Sequence, residues 1–143
     1  MDFTERLEMF LEGEMITVDD VRNVNNILDM FKEKYGVTLT EENASTFVSH
    51  VCAAFYRYSA GEEIDPLPEE VVNEVTSQPT YELSVEVFEN IMKVIEKPFS
   101  DVERGYVLLH INNLIQLLKS EGEWNSVVKN KIVKEKKNGR NYY

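Results

Sequence analysis

Histidine is scarce in this chain of 143 residues: it occurs twice, at His50 and His110. Two imidazoles do not make a His-based metal cage, because zinc draws on three or four convergent ligands. No HxxxH, HExxH or CxxC spacing occurs, so neither a metal nor a cofactor is expected. Cysteine is scarcer still. The single Cys52 excludes an internal disulfide. It sits among Val51, Ala53, Ala54 and Phe55, without a basic cluster to activate it, and reads as a buried small hydrophobe. Basic side chains number 15 against 26 acidic ones, and the net charge of −11 repels a phosphate backbone, so direct nucleic-acid binding is not expected. Apolar runs stay short of the roughly 18–20 residues that span a bilayer. The acidic opening Met1-Asp2-Phe3-Thr4-Glu5 lacks the basic and apolar regions of a secretory signal. The expected setting is therefore cytoplasmic and reducing. Gly-x-Ser-x-Gly and Gly-rich phosphate loops are missing. Ser49 adjoins His50, but neighbours on a helix point roughly 100° apart, so a hydrolytic triad is not formed there. An enzyme is not expected.

What the chain does have is helical periodicity from end to end. Leu7, Phe10 and Leu11 make one apolar stripe over about Thr4–Glu12, stopped by Gly13. Thr17 caps a second helix with Val21, Val24, Leu28, Phe31 and Tyr35 aligned, and Gly36 ends it. A third helix starts at Thr40 and runs to about Tyr58. After a loop broken by Pro66 and Pro68, a short helix reaches about Val75. A fourth long helix spans about Pro79–Ile95. Ser100 and Glu103 form the two ends of a capping box that opens a last long helix to about Ser120. This helix is apolar over a broad arc and is expected at the centre. The fold class is all-α: a single bundle of about five main helices over residues 1–121. Residues 122–143 differ in character. Six basic side chains stand against two acidic ones, a net of +4 that leaves −15 for the body. This segment reads as a basic, partly helical or disordered C-terminal extension, with Trp124, Val127, Val128 and Ile132 as its apolar side.

Each histidine lies in a helix interior with a charged residue seven positions away: Arg57 after His50, Glu103 before His110. Seven residues are nearly two turns and about 10 Å of rise, so each pair shares a helix face without touching. The members can converge only through a packed neighbour helix. On spacing alone, a histidine among apolar residues is an ordinary core or boundary group.

The stretch Phe47–Arg57, followed by Gly61-Glu62-Glu63-Ile64, and the stretch Glu103–Ile111 resemble the PRD family. These are regulatory domains of bacterial antiterminators and activators controlled by the sugar phosphotransferase system. The family pattern of His-apolar-x-x-apolar-x-x-Arg on one helix, then Glu-x-Gly-aromatic-x-x-x-His-Ile on another, is met in order and at the family's separation. Arg6-Leu7 through Gly13 and Ile16 is similar to the family's start, and the resemblance covers about residues 3–120. It implies a PRD-like bundle in which His50 and His110 accept phosphate from the phosphocarrier HPr or a sugar-specific enzyme II component. Arg57 and Glu103 are then supporting residues. It also implies a homodimer, or a heterodimer with a full-length PRD regulator, that controls transcription or carbohydrate metabolism through protein–protein contacts. Family members carry the domain beside an RNA- or DNA-binding module; this chain has room for neither, so a stand-alone domain is expected. The alternative is a helical adaptor or dimerisation module that keeps the scaffold without phosphorylation. An acceptor nitrogen must be unprotonated, and a carboxylate such as Glu103 would set the tautomer if the fold brought it to His110.

Overall fold

Six helices are laid out along residues 2–124, the part of the chain that the structure, a computed structural model, describes. They are α1 (Thr4–Glu12), α2 (Val18–Tyr35), α3 (Glu41–Ala60), α4 (Glu69–Thr76), α5 (Tyr81–Val94) and α6 (Asp101–Ser120). The described residues contain no strand. The all-α expectation holds, with α4 as a short helix beside the main ones.

The helix ends follow from local chemistry. Thr17 Oγ1 accepts the Asp20 N–H at 3.2 Å while Asp20 Oδ2 accepts the Thr17 N–H at 2.9 Å, which fixes the start of α2. Thr40 and Asn43 make the same reciprocal pair at α3, at 3.3 and 2.9 Å. Both helices end where a glycine, Gly36 or Gly61, turns into the left-handed region at φ 66° and 71°. At α6 only half of the expected capping box forms. Ser100 Oγ accepts the Glu103 N–H at 3.1 Å, but the Glu103 carboxylate turns instead to Arg57. A bidentate bond to a guanidinium outweighs one bond to a backbone amide.

The long helices close a ring: α3 packs on α6, α6 on α5, α5 on α2, and α2 on α3, with α4 resting on α6. Phe31, Phe55, Val87, Ile91, Ile111, Ile115 and Leu118 fill its centre. A helix in such a ring faces two neighbours, so its buried arc is wider than a single stripe. That is why Ile27 and Met30 join Val24, Phe31 and Tyr35 in the core, while Val21 and Leu28 are only partly covered. The centrality expected of α6 is borne out. α1 is tied on by Phe3 and Leu7, and by Arg6, whose guanidinium donates to both oxygens of Glu41 at 2.8 Å and to Ser49 Oγ at 2.9 Å.

A chain of aromatic rings crosses one end of the core. Trp124 lies 5.0 Å from Tyr35 and 6.4 Å from Phe31, and Phe31 meets Phe47 edge-on at 5.9 Å. Glu123 also joins the body, accepting a hydrogen bond from Asn43 Nδ2 at 2.9 Å. Val127, Val128, Ile132 and the basic side chains of the extension lie outside the described residues.

Candidate functional site

α3 presents His50 and Arg57 on one face, and α6 presents Glu103 and His110. The structure joins them across the α3–α6 interface rather than along either helix. The imidazoles of His50 and His110 stack with centroids 3.7 Å apart and planes at 15°. Arg57 Nε donates to Glu103 Oε2 at 2.6 Å, and its Nη2 donates to Oε1 at 3.0 Å. A step of seven up α3 thus meets a step of seven down α6, so the two helices run antiparallel in one register. All four residues line a cleft of about 30 Å³ with Phe47, Val51, Tyr106 and Val107.

The two rings differ in access. His50 is exposed, while His110 lies half-buried beneath it. Burial, and secondarily the Arg57 guanidinium, hold the His50 pKa below its ordinary value. Burial and then the adjacent His50 push His110 down to about 4. Both rings are therefore neutral at pH 7, each with one nitrogen lone pair free to attack an electrophile. Glu103 shares the cleft with His110, but both of its oxygens engage Arg57, so its partner is the guanidinium and not the imidazole. The ion pair is also a wall: Arg57 and Glu103 line both the imidazole cleft and a neighbouring cavity of about 420 Å³ floored by Phe55, Tyr58 and Phe99.

No group of three or more His, Cys, Asp or Glu among the described residues is arranged to hold a metal ion. Cys52 is buried as expected, and burial pushes its thiol up to about 12, far from a reactive thiolate. Among the described residues, no helix is long and apolar enough to cross a membrane.

The family model for the PRD domain matches residues 25–114, more than half of the chain and all four residues of the site. The chain belongs to the PRD family. A relative of this PRD domain, described as the uncharacterized protein YhfY of Escherichia coli (strain K12), is 22% identical over 109 residues, covering 76% of this chain and 91% of that protein. No solved structure matches the chain.

Sequence reasoning missed one neighbour of this PRD site. Lys97, in the α5–α6 connection, reaches Asp20 Oδ1 at 2.7 Å and Ser59 Oγ at 2.6 Å, and lies over the rings of Phe55 and Tyr58. It ties the start of α2 to the end of α3. Asp20, an acid in the first turn of α2, suits a helix start without any further partner, and a lone lysine in a connecting loop carries no periodic signal.

Proposed function

We propose that this PRD domain is a phosphorylation-responsive regulatory protein of the sugar phosphotransferase network. His50 and His110 are its acceptors, and HPr or a sugar-specific enzyme II component is its donor. It is a substrate of phosphoryl transfer and not a catalyst with turnover. It works in the cytoplasm, associating with a second copy or with a full-length PRD regulator. The observation that carries the reading is the convergence of both neutral imidazoles at one cleft beside the Arg57–Glu103 pair.

The same geometry supplies a switch. Phosphorylation converts a neutral ring into a group of nearly two negative charges. Beside that group Glu103 is repelled and Arg57 attracted. When Arg57 turns to the phosphoryl oxygens, it leaves a 9% exposed carboxylate without its cation. Breaking a buried pair in this way costs about 3–5 kcal/mol. Reversing a population from 1:99 to 99:1 takes about 5.5 kcal/mol, so loss of the pair accounts for most of a switch in α3–α6 packing. Arg57 and Glu103 are in this sense positioning residues.

The test is incubation with phosphorylated HPr and candidate enzyme II components. The wild type is expected to take up acid-labile phosphate, and the His50→Ala/His110→Ala double variant to take up none. Label that persists in the folded double variant, or a wild type left unlabelled by every donor, removes the reading. Light scattering of bare and phosphorylated forms tests the association.

A further inference from the structure

We infer that His50 and His110 form one acceptor site that holds a single phosphoryl group at a time, entered through His50. This rests on the reading of both histidines as acceptors and sets the regulation of that site.

The stack is the first ground. With the rings 3.7 Å apart and 15° from parallel, phosphoryl groups on both would place two dianions side by side. Their separation falls within about one Debye length, ~8 Å at physiological salt, where solvent ions do little to relieve the repulsion. The second ground is the supply of countercharge. Among the described residues the cleft is lined by one cation, Arg57, and that cation already serves Glu103. One phosphoryl group can take Arg57 over; among the described residues of the lining, a second then finds the Glu103 carboxylate and no further cation. The third is space. A cleft of about 30 Å³ has room for about one water, and a phosphorus with three oxygens is larger, so two phosphoryl groups do not fit between the stacked rings. Access sets the order, because His50 is exposed and covers the half-buried His110.

The step balances simply. A ring nitrogen lone pair attacks phosphorus and forms an N–P bond. The donor's bond to phosphorus breaks, its electron pair stays on the donor, and the proton lost by the acceptor ring reaches the donor through water.

Phosphoramidate, which phosphorylates imidazole without an enzyme and releases ammonia, is the probe. Intact mass is read at saturation on the full chain, folded and in urea. The folded wild type is expected to gain the mass of one phosphoryl group, with His50 labelled first. His50→Gln and His110→Gln are each expected to gain one. The urea-unfolded wild type is expected to gain two, which shows both imidazoles to be competent. Two groups on the folded wild type overturn the inference while leaving both histidines as acceptors. One group in urea also overturns it, since the limit then lies outside the fold. Initial labelling at His110 overturns the order of entry. A folded chain that takes none, while the unfolded chain takes two, removes the inference together with the reading of the site as an acceptor.

Discussion

Acid should destabilise this PRD domain through His110 in particular. Its pKa lies at about 4 in the folded chain against an ordinary 6.5, because burial and the stacked His50 disfavour the imidazolium. The unfolded chain then binds more protons than the folded chain between those values, so stability is complete above pH 6.5 and falls as the pH drops toward 4. At about 1.4 kcal/mol per pH unit the gap corresponds to about 3 kcal/mol. Half-burial leaves the ring in partial contact with water, which lowers the expected loss to about 2 kcal/mol. The assay is urea unfolding at pH 7.5 and pH 4.5 for the wild type and His110→Gln. Carboxylates that titrate in the same window act alike in both proteins and cancel in the difference. The wild type should lose about 2 kcal/mol more than the variant over that interval. Parallel losses would refute the reasoning and place the neutral imidazole's contribution near zero.

Other perturbations test the remaining contacts. His50→Gln removes the ring that disfavours charge on His110, so the His110 midpoint, followed by imidazole NMR, should move up toward its ordinary value; an unmoved midpoint would break the coupling. Arg57→Met should cost about 2–4 kcal/mol in urea unfolding, because it strands Glu103, and Arg57→Met/Glu103→Leu should recover at least half of that loss; an equal or greater cost in the double variant contradicts a partnered pair. Gly105→Ala should stabilise α6 by about 0.5–1 kcal/mol, since a Cβ there meets only Leu67 Cδ1 at 3.7 Å and alanine is the better helix former. A lower melting temperature for that variant would show that the interior of α6 needs the glycine. Asp20→Ala should cost about 2–4 kcal/mol, because it removes both the acceptor of the Thr17 N–H and the carboxylate that Lys97 pairs with; a loss below about 1 kcal/mol would reduce Asp20 to a capping residue alone.

Much of this architecture was legible because it is written locally. Thr17, Thr40 and Ser100 announce helix starts through side-chain oxygens, and Gly36 and Gly61 announce ends through a conformation that other residues resist. The helix faces of His50 with Arg57 and Glu103 with His110 were readable from a spacing of nearly two turns. Which face meets which was not, because antiparallel register depends on how α3 and α6 pack across sequence separations of 46–60. The crossing of partners, histidine on histidine and arginine on glutamate, is a property of that register. Two further cases show the same limit. Glu103 was legible as a capping residue, yet Arg57 competes for its carboxylate and wins. Buried Ser84 and Asn112 join the partly covered Thr80 in a hydrogen-bonded group between α5 and α6 that no sequence period marks.

The aromatic chain at the end of the core turns the molecule into its own optical instrument. Trp124 is the single tryptophan and is 8% exposed, so the indole emission of the whole chain comes from one sheltered place. It touches Phe31, Phe31 touches Phe47, and Phe47 forms part of the wall around the two imidazoles. Three rings thus link the α3–α6 cleft to a fluorophore that needs no label. Emission wavelength and quenching, followed in real time, are the readout for the rearrangement proposed to follow phosphorylation.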